Sequence, residues 1–94
     1  MKFAINIGVI KMINLEKMNI IKFYKVVDVT NEYKNYSEEN KRKYRSILSD
    51  DMIISEPLYK VVCKVEHSGK FEIVTRIWTK SEFELIKKNK YYLA

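Results

Sequence analysis

The chain of 94 residues has one cysteine, one histidine, one proline and two glycines. A lone cysteine cannot form an intramolecular disulfide, and a small chain without disulfides fits a reducing compartment, so we expect a cytoplasmic protein. One histidine and one cysteine cannot supply the three or four ligands of a zinc site, so no metal is expected. Gly8 and Gly69 do not form a glycine-rich phosphate loop, so we expect no cofactor.

The scarcity of nucleophiles and bases also bears on catalysis. Cys63 and His67 lie four residues apart on one predicted strand, which separates their Cα atoms by roughly 13 Å, beyond hydrogen-bond reach. We therefore interpret Cys63 as a core residue and His67 as a solvated loop residue. The adjacent carboxylates at 38–39 and 50–51 are explained by helix ends. The sequence predicts that the protein is not an enzyme.

Long apolar runs are missing as well. The run Phe3–Ile10 contains Asn6 and lacks a small-residue cleavage site, so we do not interpret it as a signal peptide. No segment approaches the ~20 apolar residues that a membrane span needs, and no membrane partner is expected. A chain of this length predicts a single domain over residues 1–94.

The clearest structural pattern that is present lies between Leu58 and Trp78. Two alternating runs flank His67–Gly69, which we interpret as a three-residue hairpin loop with Gly69 in the left-handed conformation. This register places Cys63 opposite Ile73 in the core. All paired positions on that side of the hairpin are then apolar or neutral.

A two-residue loop at Ser68-Gly69 is the alternative register. It would set Val65 against Glu72 and Val61 against Arg76, which mixes core and charged residues on both faces. Because alternation normally keeps charge off the buried face, the three-residue loop is preferred.

A helix is predicted directly after the hairpin. Thr79 as N-cap and Glu82 three residues later form a capping box, and Trp78 and Phe83 are spaced for a hydrophobic staple. Lys87 and Lys88 in the last turn complement the helix dipole, and the helix can end at Asn89. The residues that follow are expected to pack back on the core or fray: Tyr91, Tyr92 and Leu93.

Two strands and a helix are predicted before the hairpin. Phe3–Val9 alternates as a first strand, and Ile20–Thr30 reads as a second strand with Ile21 and Phe23 on one face. Lys25 interrupts that face and predicts a sheet edge, a bulge or a snorkelled side chain near it. Ser37 is the expected N-cap of a helix that runs to about Ser49. The buried stripe of this helix is expected to contain Tyr44, Ile47 and Leu48.

The order of elements is therefore ββαββα. It predicts an α+β fold with a four-stranded, mostly antiparallel sheet and two helices packed on one face, a permuted relative of the split βαβ arrangement. The strand Phe3–Val9 would complete the sheet by pairing beside Ile20–Thr30. Met18 is an internal candidate start, so a second possibility is that residues 1–17 are a dispensable strand extension.

The formal net charge is +6, with ten basic and five acidic residues in the first half of the chain. Such an excess favours contact with nucleic acid, another anionic surface or an acidic partner. Two surfaces qualify as partner-binding candidates. One is the cluster Lys41, Arg42, Lys43 and Arg45 on the outside of the first helix. The other is the outer hairpin face, with Lys60, Lys64 and Arg76 around Val62, Val74 and Trp78.

The leading functional hypothesis is a small non-enzymatic binding protein of phage or mobile-element type. It would inhibit or modulate a host nucleic-acid-handling complex through a basic surface, and an anti-CRISPR-like inhibitor is one example. Abundant Lys, Ile, Asn and Tyr beside scarce Arg, Gly, Ala and Pro match an AT-rich gene. An autonomous DNA- or RNA-binding regulator and a structural subunit of a homo-oligomer are the alternatives. The expected partner is a protein or nucleoprotein complex, with nucleic acid as a second option.

Overall fold

The computed structural model describes residues 15–45 and 55–94. The sheet order is β3-β2-β1-β4, and every neighbouring pair is antiparallel. The α+β class and the four-stranded antiparallel sheet are thereby confirmed. In chain order the elements are strand β1 (Lys17–Asp28), a 3-10 turn (Tyr33–Asn35), helix α1 (Glu38–Tyr44), strands β2 (Leu58–His67) and β3 (Lys70–Thr79), helix α2 (Lys80–Asn89) and strand β4 (Tyr91–Leu93).

The fourth strand comes from the C-terminal end of the chain. Tyr91–Leu93 pairs with Lys17–Asn19, and the side chain of Tyr92 is buried. These residues therefore pack back on the core, which is one of the two predicted outcomes. A run of three residues is too short to show alternation, so nothing in the sequence marks it as a strand. The predicted strand Phe3–Val9 lies outside the described residues.

The start of β1 is also held by the C-terminal end. Glu16 and Ala94 exchange two backbone hydrogen bonds of 2.7 and 2.9 Å, and Lys17 pairs with Leu93. The last two residues of the segment 1–17 are thus part of the sheet's hydrogen bonding. For the residues before position 15, dispensability stays a prediction.

The predicted hairpin register is wrong. The loop contains only Ser68 and Gly69, with φ of 52° and 78°, which fits the type I′ turn of two-residue hairpins. Cys63 consequently lies opposite Val74, and Ile73 lies opposite Lys64. The rejected pairs Val65 with Glu72 and Val61 with Arg76 are the ones that form.

The physical reason for this register is that the core covers the central strand more than the edge strand. Val61, Cys63 and Val65 of β2 are fully buried, whereas Glu72, the partner of Val65 on edge strand β3, is exposed. Phe71 and Ile73 of β3 are 62% and 64% exposed. An edge strand can therefore place charged residues opposite buried ones, and apolar alternation alone did not fix the register.

Two apolar clusters lie on opposite sides of the sheet. The first packs helix α2 onto β2, and its buried members are Met18, Val61, Cys63, Val65, Trp78, Phe83, Ile86 and Tyr92. The second lies under the 3-10 turn and consists of Val29, Tyr33, Leu58 and Ile77, with Tyr36 and Tyr44 packed against it. Helix α1 thus contributes Tyr44 to the side opposite α2, which differs from the expected placement of both helices on one face.

Strand β1 contains two register shifts, between Ile20 and Lys22 and between Phe23 and Lys25. The second lies beside Lys25, so a bulge is the one of the three predicted features that this shift shows. The first leaves Ile21 half-exposed as an extra residue, so that Ile20 and Phe23 both reach the first cluster. The prediction that Ile21 and Phe23 share a face is wrong for this reason.

The start of α2 is as predicted. Thr79 Oγ1 accepts a hydrogen bond of 3.2 Å from the backbone N–H of Glu82, whose carboxylate accepts one of 2.8 Å from the backbone N–H of Thr79. The rings of Trp78 and Phe83 stack at 6.2 Å between centroids. The helix ends at Asn89, and Lys90 follows in the left-handed conformation with φ of 67°.

Helix α1 starts as predicted but is shorter than expected. Ser37 Oγ accepts from the backbone N–H of Asn40 at 3.1 Å, which confirms the N-cap. The helix ends at Tyr44, because Arg45 has the extended backbone angles φ −116° and ψ 150°. The rest of the predicted stripe, Ile47 and Leu48, lies outside the described residues. Neither this helix nor α2, the helices of the described part, is long and apolar enough to cross a membrane.

Candidate functional site

One side of the sheet carries a group of lysines, which we call the lysine face: Lys22, Lys25, Lys60 and Lys64. Lys22 lies directly opposite Lys64 across the β1–β2 pair, Lys25 lies opposite Val62, and Lys60 lies opposite Val27. Residues directly opposite each other in an antiparallel pair point to the same side of the sheet. The side chains therefore concentrate four positive charges over two neighbouring strands.

Within the described part of the chain, none of these four lysines makes an ion pair. Glu66 shares this side of the sheet, but its carboxylate oxygens accept hydrogen bonds from Asn19 Nδ2 at 3.1 Å and from the Gly69 backbone N–H at 2.9 Å. Like charges directly opposite each other destabilise a sheet by up to about 1 kcal/mol. The repulsion between Lys22 and Lys64 therefore does not stabilise the fold.

Apolar and aromatic side chains lie between the lysines. The exposed Phe71 ring is 5.2 Å from Lys64 Nζ, and the Tyr44 ring is 4.9 Å from Lys60 Nζ. Ile73, opposite Lys64, is exposed as well. The surface thus combines charges for phosphates with flat apolar groups on which bases can stack.

The structure divides the predicted hairpin cluster between the two sides of the sheet. Lys60 and Lys64 belong to the lysine face, together with Val62. Arg76 lies opposite Val61 and points to the other side, with Val74 and the buried Trp78. The division follows from the two-residue turn, which shifts β3 by one position against the predicted register.

Arg76 occupies a partly buried position at the edge of the sheet. Its Nη1 donates to the backbone oxygen of Lys43 at 3.5 Å, and its guanidinium lies 5.8 Å from the Tyr92 ring. Its Nε is buried and has no hydrogen-bond partner among the described residues. Burial lowers the pKa of Arg76, although a guanidinium stays charged at neutral pH.

The predicted helical cluster is also divided. Arg42 and Lys43 are exposed, and Lys41 pairs with Glu38 at 3.7 Å. Arg45 is 3% exposed, and two of its nitrogens donate to the carboxylate of Glu82 at 2.9 and 3.2 Å. The expectation that Arg45 lies on the outside of the helix is therefore wrong, because Arg45 connects the end of α1 to the start of α2.

The two predicted clusters nevertheless meet at the edge strand. Lys43 of α1 and Arg76 of β3 line one groove of about 390 Å³, and Lys25 and Lys60 line a second groove of about 390 Å³. Thr75 lines both grooves. Three of the basic residues proposed for two separate surfaces, Lys43, Lys60 and Arg76, thus border two adjoining grooves at β3.

Sequence reasoning did not identify Lys22 and Lys25 as part of this surface. The pairing of β1 with β2 brings them opposite Lys64 and Val62, and two bulges set that pairing. Alternation along β1 signals that Lys22 is on an outward side. Which residues of β2 it faces depends on the bulges, and these are set by the tertiary structure.

Cys63 and His67 lie in different surroundings. Burial raises the pKa of the Cys63 thiol to about 11. His67 is only 17% exposed and lies between the carboxylates of Glu72, at 2.6 Å, and Glu16, at 3.5 Å, so the expectation of a solvated loop residue is wrong. Over residues 15–45 and 55–94, no three His, Cys, Asp or Glu side chains are placed to hold a metal ion.

Comparisons with known proteins add no functional assignment to this surface. The arguments for a function therefore rest on the charges, burial and contacts described above. Neither a protein-family model, nor a curated protein, nor a solved structure matches the chain.

Proposed function

We propose that the protein is a small non-enzymatic binding protein that acts on a nucleic-acid-handling complex through the lysine face. The observation that carries this proposal is the group of four lysines without a carboxylate partner among the described residues, two of them directly opposite each other. Phosphates of a bound polyanion would neutralise these charges and release counterions, which favours binding.

The exposed side chains among the lysines support a nucleic-acid component in the partner. Phe71 lies beside Lys64, and base–aromatic stacking contributes about 1–3 kcal/mol per base in proteins that bind single strands. A purely acidic protein partner would need the positive charges but not an exposed ring among them.

The narrower role is an inhibitor or modulator encoded by a phage or mobile element and active in the cytoplasm. This role is supported by the small size of the chain and by its amino-acid composition, which matches an AT-rich gene. An autonomous regulator that binds DNA or RNA uses the same surface. The two roles differ in one respect: the inhibitor or modulator requires a protein in its partner for binding, and the autonomous regulator does not.

The lysine face is tested by heparin affinity chromatography of two variants with equal net charge. One replaces Lys22, Lys25, Lys60 and Lys64 with Gln, and the control replaces four exposed lysines elsewhere: Lys70, Lys80, Lys88 and Lys90. We expect the first variant to elute at clearly lower salt than the control, because clustered charges bind a polyanion more strongly than scattered ones. Equal elution of the two variants would show that net charge alone governs retention and would overturn the proposal.

The role in a complex is tested by affinity purification of the tagged protein from the cells that carry its gene, with and without nuclease. We expect the wild type to retain nucleic acid or a nucleoprotein, and the lysine-face variant to lose it. Equal retention of nucleic acid or nucleoprotein by the wild type and the lysine-face variant would contradict a role for this surface.

A further inference from the structure

Arg76 carries a charge for which the fold provides little compensation. Among the described residues it makes no ion pair, and its one hydrogen bond, to the Lys43 backbone oxygen, is long at 3.5 Å. A partly desolvated cation is costly unless an anion pairs with it. The nearby charge of Arg45 adds to the positive potential and is one cause that lowers the pKa of Arg76, after the larger effect of burial.

The surroundings of Arg76 are open to a ligand on one side. Together with Lys43 it lines a groove of about 390 Å³, which the rings of Tyr44 and Tyr92 also border. The groove volume is comparable with that of sites for small organic ligands. Two cations at one opening match the chemistry of a phosphate, and the half-buried Tyr44 ring beside them adds a flat group for the attached nucleoside, whereas Tyr92 is buried.

We propose that this groove binds a phosphodiester of a single-stranded nucleic acid, with Arg76 and Lys43 as the phosphate-binding residues. The inference rests on the proposed function and extends it, because it names the partner's class and places a phosphate site beyond the lysine face. The guanidinium of Arg76 donates to the phosphate oxygens, and the ammonium group of Lys43 adds a second positive charge. The Tyr44 ring borders this site, and Lys60 Nζ lies 4.9 Å from the centroid of the same ring.

A strand fits the surface better than a free nucleotide does. The groove that holds Arg76 adjoins the groove that holds Lys25 and Lys60, and Thr75 borders both. Cations therefore follow one another across the edge of the sheet, as successive phosphates of a strand would require. Base stacking on exposed rings requires unpaired bases, so a single strand is favoured over a duplex.

The test uses nuclear magnetic resonance with an eight-residue oligothymidylate as the probe. The buried Nε–H of Arg76 should be visible in a ¹H–¹⁵N spectrum, and we expect its signal to move as the probe is added. Inorganic phosphate serves as the second probe. A response to the oligonucleotide at concentrations where inorganic phosphate has no effect identifies a strand as the ligand, and an equal response to both would replace the strand with a free phosphate.

Binding isotherms across salt concentrations supply a second readout. The substitution Lys43→Gln should reduce the slope of log affinity against log salt by about 0.7, the value of one phosphate contact on a single strand. Lys88→Gln is the control, since Lys88 is exposed on α2 and lies outside both grooves. Lys43 is exposed, so its substitution leaves the fold intact.

The outcomes separate this inference from the proposed function. If the lysine-face variant loses heparin binding while the Arg76 signal stays fixed and Lys43→Gln keeps the wild-type slope, the groove is not a phosphate site and the proposed function stands. If the Arg76 signal moves and Lys43→Gln lowers the slope while the lysine-face variant binds heparin like its control, the phosphate site in the groove is supported and binding through the lysine face is rejected.

Discussion

The two sides of strand β2 differ sharply although their residues alternate along one chain. Val61, Cys63 and Val65 are completely buried under helix α2, whereas Lys60 and Lys64 reach solvent between them. Successive side chains of a strand point to opposite sides, so one strand can serve a core and a binding surface at once. The difference teaches that substitutions at the two sets of positions should separate: Val61, Cys63 and Val65 control unfolding, and the lysines of the lysine face control association.

Removing Trp78 should give the largest effect on the core side. The ring is buried and packs against Phe83 and against Tyr92, whose centroid is 5.0 Å away. We expect Trp78→Ala to lower the free energy of unfolding by about 3–5 kcal/mol, measured by urea denaturation. Unchanged stability together with loss of partner binding would instead make Trp78 a functional residue.

The start of α2 around this tryptophan was predictable from the sequence, and other parts were not. A capping box and a staple involve residues within five positions, so local spacing is enough to identify them. The hairpin register, the strand Tyr91–Leu93 and the burial of Arg45 depend on contacts between distant residues. Arg45 in particular is buried beside Glu82, 37 positions later, whose carboxylate accepts its hydrogen bonds.

The candidate site follows the same division. Lys60 and Lys64 were identified because alternation places them on the outer side of the hairpin. Lys22 and Lys25 lie beside them only because β1 pairs with β2. Arg76 lies on the other side of the sheet because the observed hairpin register differs by one residue from the predicted one. Charge in a sequence thus predicts that a basic surface exists, but strand pairing decides which residues form it.

Cys63 provides a pH test of the buried side. Its pKa rises from 9.0 to about 11 on folding because burial disfavours the thiolate. Between these values the unfolded chain has lost the proton that the folded chain keeps, so stability is complete below pH 9 and falls toward pH 11 by up to about 3 kcal/mol. Cys63→Ala should flatten this decline in denaturation curves. Rapid alkylation of folded Cys63, at the rate seen in urea, would contradict its burial.

Two substitutions at Glu82 separate its charge from its capping role. Glu82→Gln keeps a side chain that can accept from the Thr79 N–H but weakens the contact with Arg45, and Glu82→Ala removes both. We expect losses of about 1 and about 2 kcal/mol in the free energy of unfolding. No loss in Glu82→Gln would show that the ion pair contributes nothing, and equal losses in the two variants would show that the cap contributes nothing beyond the ion pair.

The opposed lysines predict a small effect of the opposite sign. Lys64→Glu replaces a repulsive cross-strand pair with an attractive one toward Lys22, which should stabilise the protein by about 0.2–1 kcal/mol. The same change should weaken polyanion binding, since it removes a cation from the lysine face and adds an anion. Lys88→Glu, with an identical change in net charge, is the control for binding.

The most direct test of the account is therefore to measure unfolding in urea and heparin elution on the single variant Lys64→Glu. We predict a free energy of unfolding equal to or higher than that of the wild type, and elution at lower salt than for Lys88→Glu. A loss of stability greater than about 1 kcal/mol, or elution together with Lys88→Glu, would contradict the claim that the lysines of the lysine face serve binding and not folding.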